Sequence, residues 1–152
     1  MRVFLCPYGG FSLAIPMDAV LSVTLHRNNP EKTVEYNNEN QNTYISLPLL
    51  FNFENRELSH GIILKDGSDE QLENKYVLLS YKIESEAELS AKKIYPLPES
   101  FSAMKFSNFF TGIVFYSRSQ NEKTPGGIYP QELVLLLDPP HIVNYIKKEI
   151  KA

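Results

Sequence analysis

The chain has 152 residues, enough for one domain with a sizeable core, and 43% of them are hydrophobic against 22% charged. This balance is ordinary for a globular protein and argues against global disorder. The net charge of −3 and the lack of a basic run disfavour nucleic acid or an anionic membrane as a partner. The single cysteine excludes an intramolecular disulfide and a cysteine-based structural zinc site.

The first strand is predicted to end near Cys6, which we expect to be a small buried hydrophobe. Only five residues precede it, too few for the charged and apolar regions of a signal peptide. No later segment has the roughly 18 apolar residues that a membrane-spanning helix needs. We therefore expect a cytoplasmic protein without membrane insertion.

Most of the hydrophobic pattern has the period of two that is typical of strands buried on one face. FSLAI (Phe11–Ile15) and LSVTL (Leu21–Leu25) follow this pattern, and Gly9-Gly10 predicts a hairpin turn before the first of them. Further runs of strand length are rich in branched and aromatic residues, namely ISLPLLFNF, GIILK, KYVLLSYKI and FFTGIVFY. The segments 28–44 and 119–130 are rich in asparagine, proline and glycine, which predicts mobile loops.

Two segments have helical character. SEAELSAKKI (Ser85–Ile94) contains good helix formers but few apolar residues, so a helix and a simple connector both remain open. At the C-terminus, apolar residues recur at three- and four-residue steps from Ile142 to Ile150, which predicts an amphipathic helix. The chain is therefore mainly β with a short C-terminal helix.

Asp138 could be a catalytic carboxylate, because it stands alone at the end of the apolar run LVLLL. It also stands where a helix N-cap belongs, and its carboxylate can accept bonds from free backbone N–H groups. Pro139 follows at the first helical position, where the missing N–H of proline has no cost. We interpret Asp138 as the residue that ends a strand and starts the helix.

No combination of residues in the sequence indicates catalysis. None of His26, His60 and His141 has a second histidine or a carboxylate three or four residues further on, as a helical metal pair requires. The glycines form neither a GxGxxG motif nor a P-loop, and no serine lies in a GxSxG motif. We predict a non-enzymatic protein without a metal or cofactor. The nine Phe and nine Tyr lie mostly in apolar runs, which favours core packing over stacking on single-stranded nucleic acid.

Taken in order, the predicted strands resemble the CheW family of chemotaxis coupling proteins and the CheW-like domain of the kinase CheA. FLCPYGGFSLAIPMDAVLSV is similar to the start of the family, where a strand and a glycine turn precede a segment of the form yaipv..V.eV. ISLPLLFNF resembles the segment that ends in iPvidL, YVLLSYKI the GLlVDrV strand, and IYPLPESF with FFTGIVFY the later plP and yi.Gi segments. ELVLLLDPPHIV is the best match, to the closing lvlLLDpekLl.

The resemblance implies two small five-stranded β-barrels that share a core and are closed by a short helix, all within one domain of residues 1–152. It also implies an adaptor that links chemoreceptors to a histidine kinase. Such an adaptor would bind the kinase CheA, chemoreceptor tips, or both. Two alternatives stay open: a CheW-like fold used as another protein-interaction module, and a barrel that binds a small ligand or an oligonucleotide.

The chain departs from the family at its polar signature positions. The glutamate of V.eV corresponds to Ser22, and the Arg-Gly pair before iP corresponds to Thr43 and Tyr44. The aspartate of vidL corresponds to Phe51, and that of GLlVD to Tyr81. Because the apolar positions are kept while these are lost, a changed partner preference is one expectation.

The partner-binding residues that the resemblance implies lie near the first strands and near the groove between the barrels. By position, these are Val20, Ser22, Thr43 and Tyr44. For Val20, core packing is the competing role. Thr43 and Tyr44 could instead simply end the long loop.

Overall fold

The computed structural model describes residues 1–26, 31–52, 60–65, 75–102, 107–116 and 131–151. The chain divides into two compact units. The first unit comprises Met1–Pro16 and Glu84–Asp138, and the second comprises Met17–Ile83 and Pro139–Ala152. The chain therefore begins in the first unit and then forms most of the second. It returns to the first unit at Glu84, and its C-terminal segment from Pro139 belongs to the second unit again. That residues 1–152 form one domain stays a prediction.

The described residues form ten strands and three α-helices. The strands are β1 (Arg2–Pro7), β2 (Phe11–Pro16), β3 (Val20–Leu25), β4 (Val34–Asn37), β5 (Asn42–Ser46), β6 (His60–Leu64), β7 (Lys75–Ser80), β8 (Ser85–Glu88), β9 (Phe110–Tyr116) and β10 (Glu132–Leu137). The helices are α1 (Leu47–Leu50), α2 (Glu99–Ser102) and α3 (Pro139–Lys151), and short 3-10 helices lie at Met17–Ala19, Ala91–Lys93 and Ser107–Phe109.

The first unit contains a five-stranded sheet in the order β8-β1-β2-β10-β9. β2 and β10 are parallel, and the other neighbours are antiparallel. The β1–β2 hairpin turns at Gly9, whose φ of 89° lies in the left-handed region that glycine adopts without strain. Because side chains alternate across a strand, one face of the sheet lines this core, while Leu13 and Ile15 are buried on the other face. The buried members of this core are Val3, Leu5, Ala14, Ala87, Leu89, Val114, Val134 and Leu136.

The second unit contains a five-stranded sheet in the order β3-β6-β7-β5-β4, in which only β5 and β7 are parallel. A row of fully buried side chains crosses its centre, where Leu78 lies opposite both Ile45 and Ile62. Burial of one such side chain stabilises a fold by roughly 1.5–3 kcal/mol, so this row holds the three central strands together.

The C-terminal helix α3 begins at Pro139, directly after Asp138, as the capping pattern predicts. The Asp138 N–H donates to the carbonyl of Phe109 at 2.7 Å, which fixes the backbone where β10 ends. The buried face of α3 carries Ile142 and Ile146. The Asp138 position is therefore confirmed as the junction between strand and helix, while its side-chain capping bond stays a prediction.

The predicted fold class is confirmed: the protein is mainly β, with two five-stranded halves and a short C-terminal helix. The sheets differ from the expected barrels in one respect. Within the described residues, no ladder joins β8 to β9 or β3 to β4, so each sheet is open rather than closed.

The run ISLPLLFNF does not continue as a strand. β5 ends at Ser46, and α1 begins at Leu47. Pro48 has no N–H for a ladder, and the Ser46 hydroxyl accepts a bond from the Leu49 N–H at 3.3 Å. A proline in the first turn and a serine N-cap therefore outweigh the β preference of the apolar residues.

Two further segments differ from the sequence-based expectation. Ser85–Glu88 is strand β8, because pairing with β1 buries Ala87 in the core of the first unit. The predicted loop at 28–44 contains β4 and the first residues of β5, which form a hairpin. Its turn is an Asx type, in which Asn37 Oδ1 accepts from the Glu39 N–H at 2.9 Å. The predicted loop at 119–130 lies outside the described residues.

Candidate protein-binding surface

Strand β3 lies at one edge of the sheet of the second unit, and it is exposed along most of its length. Leu21, Val23 and Leu25 are 54%, 36% and 71% exposed. Among the described strands, only β6 pairs with β3, so no described strand covers its outer side. We call Leu21–Leu25 the β3 edge. It contains no charged residue and no proline.

Of the two predicted binding residues on β3, only one is accessible. Val20 is 8% exposed, which assigns it to the core rather than to a partner. Ser22 is exposed and lies opposite Ile63 on β6. A bulge separates the two residues, and the regular ladder of β3 runs from Ser22 to Leu25. Ser22 therefore belongs to the β3 edge.

The two predicted residues on β5 also differ in access. Thr43 is 5% exposed, so a partner cannot contact it without rearrangement. Tyr44 is half-buried, and its ring lies 5.4 Å from that of His26. The Tyr44 hydroxyl accepts a bond from Asn40 Nδ2 at 3.0 Å. Tyr44 is therefore accessible in part, and its ring is held in place by both neighbours.

Ser22 and Tyr44 lie in one row of the same sheet face, which runs from Ser22 through Ile63 and Val77 to Tyr44. Val77 is buried, so it interrupts the accessible part of this row. The structure thus places the two accessible candidates at opposite ends of a row rather than in one compact patch.

A second apolar surface lies in the first unit. Phe115 on β9, Leu133 on β10 and Phe11 on β2 are neighbours across the sheet. The Phe11 ring stacks on Tyr8 with 6.0 Å between centroids. Phe115 is 51% exposed, and the other three are half-buried. We call these four residues the aromatic row.

The polar groups that could support chemistry have structural partners. His60 Nδ1 accepts a bond from the Ile83 N–H at 3.3 Å, and the buried Ser12 hydroxyl donates to the Glu132 carboxylate. Cys6 is buried. Within the described ranges, no group of three or more His, Cys, Asp or Glu residues could hold a metal ion. The described part of the chain does expose apolar surface, which suits protein binding.

The exposure of the β3 edge could not be found from periodicity alone. LSVTL has the same alternation as FSLAI, yet FSLAI is β2 in the middle of its sheet and LSVTL is an edge strand. Which strand lies at an edge depends on long-range pairing. The aromatic row likewise joins residues from three distant parts of the sequence, and only the sheet register brings them together.

No protein-family model matches the chain, and no curated protein matches it. Solved structures do match. The chain is similar to the scaffolding protein TtCheW from Thermoanaerobacter tengcongensis, with a TM-score of 0.58 and 14% sequence identity over 90% of this chain and 83% of that chain. At this identity the likeness shows the fold alone, and the fold is CheW-like. In the part of the chain that the structure describes, no helix is both long and apolar enough to cross a bilayer.

Proposed function

We propose that this chain is a non-enzymatic adaptor that couples chemoreceptors to a histidine kinase in a cytoplasmic signalling complex. The observation that carries the proposal is its CheW-like fold, which it shares with a scaffolding protein along most of both chains. The expected partners are the kinase CheA and the tips of chemoreceptors. The adaptor needs neither a cofactor nor nucleic acid.

The distribution of apolar surface supports an adaptor. An adaptor must bind two proteins, and in the described part of the chain each compact unit carries an exposed apolar surface: the aromatic row in the first unit and the β3 edge in the second. Exposed apolar groups that lie side by side mark protein-interaction sites. Ser22 on the β3 edge and Tyr44 on the same sheet face are the residues that we assign to one partner.

A second candidate function is a CheW-like fold that serves another protein interaction. Thr43 and Tyr44 stand where the family has its Arg-Gly pair, and Thr43 is buried. Ser22 replaces a glutamate with a neutral side chain. A partner that pairs with a charged signature would therefore lose contacts here, whereas an apolar partner would not.

Calorimetric titration of the full chain with its cognate kinase, and separately with a receptor tip fragment, tests the proposal. We expect saturable binding to at least one of them. Ser22→Arg should weaken that binding by about tenfold, because it places a long charged side chain on an otherwise neutral contact. Tyr44→Ala should weaken it by about fivefold while the melting temperature changes little.

Tyr36→Ala is the matched control for Tyr44→Ala. Tyr36 is also an aromatic side chain of the same sheet, but it lies opposite Thr43, on the other face from Tyr44, and it belongs to β4 at the edge farthest from β3. It should leave binding unchanged. No binding to either partner would overturn the proposed coupling role, and binding to a protein unrelated to chemotaxis would favour the second candidate.

The aromatic row is tested by Phe115→Asp in the same titrations. If each unit binds its own partner, this change should abolish binding to one protein and leave the other affinity within about twofold. Equal loss of both affinities, or loss of neither, would contradict the assignment of one partner to each unit.

A further inference from the structure

The four edge strands of the two sheets are β8, β9, β3 and β4. Exposed strand edges attract other strands, so proteins usually shorten them, charge them or cover them. β8 has four residues, of which two are glutamates. β4 also has four residues and contains Glu35. β9 is covered by Tyr95, whose N–H donates to the carbonyl of Ile113 at 2.9 Å and whose carbonyl accepts from the Ile113 N–H at 2.8 Å.

The β3 edge has none of these protections over its regular ladder. Its bulge lies at the start of the strand, before Ser22, and leaves the residues from Ser22 to Leu25 regular. These residues are exposed, uncharged and free of proline. Of the described edges, this one is therefore the best suited to accept another strand.

We propose that β3 pairs antiparallel with the β3 strand of a second copy of this chain, around a two-fold axis at Val23. The result is a symmetric dimer in which the two sheets of the second units become one continuous sheet. The inference does not depend on the proposed coupling role, because it rests on the backbone edge and the side-chain pattern of β3.

The side-chain pattern of β3 favours a second copy of this chain as the partner. With Val23 opposite its own copy, Ser22 lies opposite Thr24 of the partner chain, and Leu25 lies beside Leu21, the residue at the bulge that precedes the regular ladder. Every apolar side chain then faces an apolar one, and each hydroxyl faces a hydroxyl, which are favourable cross-strand pairs. Moving the register by one residue would place Val23 and one of the two leucines opposite a hydroxyl. A two-fold axis at Val23 therefore matches the strand to itself.

Charge also favours a second copy. The β3 edge is neutral, so two copies meet without repulsion, whereas a strand with charged residues would leave those charges unpaired. Closed two-fold symmetry is the commonest arrangement of soluble oligomers. The contact involves one short strand from each copy, so we expect a weak dimer that forms only at high protein concentration.

Sedimentation velocity across a concentration series tests the dimer. The wild-type chain should shift from monomer to dimer as its concentration rises. Val23→Lys should weaken the dimer by about tenfold or more, because two lysines would face each other across the axis. Tyr36→Lys is the matched control, since it adds the same charge to an exposed apolar position on β4, at the opposite edge of the sheet, and should not change the equilibrium.

Disulfide trapping tests the register. In the proposed dimer, the two Val23 Cα atoms lie about 4.5–5.5 Å apart, within the range of a disulfide, so Val23→Cys should cross-link under mild oxidation. The two Leu25 Cα atoms lie about 13 Å apart, so Leu25→Cys should not cross-link. The native Cys6 is fully buried, and the wild-type chain provides the background.

A wild-type chain that stays monomeric at every concentration would overturn the dimer. So would equal cross-linking of Val23→Cys and Leu25→Cys, or a dimer that Tyr36→Lys disrupts and Val23→Lys does not. Far-UV circular dichroism of each variant confirms that the fold is retained. The titrations with kinase and receptor use dilute, monomeric protein, so either proposal can fail without the other.

Discussion

The edge strands β3 and β8 belong to different units and differ in the side chains that they expose. On β8, Glu86 bonds to Arg2 and Glu88 to the N-terminal amine, each at 2.9 Å. Charges along an edge oppose the approach of another strand. On β3, the exposed positions carry Leu21, Val23 and Leu25 instead.

The difference shows that two edge strands of one chain can expose side chains of opposite character. β8 buries Ala87 in the core of its unit and exposes Ser85, Glu86 and Glu88, so its sequence fits a strand that ends a sheet. β3 presents an apolar side that solvent does not favour, so its sequence fits a strand that binds something. The following variants are ordered from the largest expected effect to the smallest.

The largest effect should come from placing the same charge on each edge strand. Ala87→Lys forces a long cationic side chain into the core of the first unit and should cost about 3 kcal/mol or more of unfolding free energy. Val23→Lys lies at an exposed position and should cost less than about 1 kcal/mol. Urea denaturation of both full-length variants measures the difference.

Similar losses of unfolding free energy for Ala87→Lys and Val23→Lys would contradict the contrast between the two edges. A large loss for Val23→Lys would mean that the β3 edge is packed in solution. A small loss for Ala87→Lys would mean that β8 is only loosely attached to its sheet. Denaturation of dilute protein keeps the proposed dimer out of the measurement.

The next largest loss of stability is expected at β9, the edge that Tyr95 covers. A Cβ on Gly112 would lie 2.6 Å from the carbonyl oxygen of Tyr95 and 2.9 Å from Ile94. Gly112→Ala should therefore push the Tyr95 segment away from β9 and cost roughly 1–3 kcal/mol. Gly10→Ala is the control, because nothing lies within 4 Å of its Cβ. Equal stability of the two variants would show that Tyr95 does not protect this edge.

The fold could be predicted from the sequence to the extent that local chemistry decides it. Alternating apolar residues identified most strands, and Asp138 with Pro139 located the start of α3. Strand β8 is not predicted by the sequence, because its residues are good helix formers. They form a strand only by pairing with β1, which is far away in the chain. α1 was missed because a single proline and a serine cap outweigh four apolar residues.

The candidate site was predictable only by position. The resemblance placed Val20, Ser22, Thr43 and Tyr44 near one surface, but it could not tell which of them face outward. A strand exposes alternate residues only if one of its faces meets solvent, and that depends on neighbours brought by the tertiary fold. Thr43 and Val20 are buried for this reason, while Leu21 and Leu25 are exposed.

Replacing the two glutamates of β8 by valine makes this edge resemble β3. We expect this change to have a small effect on stability and a large effect on self-association. The double variant Glu86→Val and Glu88→Val removes the charges of that edge, and both positions are exposed, so the unfolding free energy should change by less than about 1 kcal/mol. Self-association measured by sedimentation should increase, because the apolar edge then lacks its electrostatic protection. Glu86→Gln with Glu88→Gln removes the charges without adding apolar surface, so its self-association should lie between that of wild type and that of the valine variant.

The smallest effect should come from the ion pair between Arg2 and Glu86. Both side chains are more than half exposed, at 65% and 51%, so water and salt weaken their attraction. Arg2→Ala should lower the unfolding free energy by only about 0.2–1 kcal/mol at low ionic strength, and high salt should shrink this loss further. Arg2→Lys, which keeps the charge, should lose less. A loss that high salt leaves unchanged would mean that Arg2 acts through the packing of its alkyl stem, so that charge on β8 would be only part of what distinguishes it from β3.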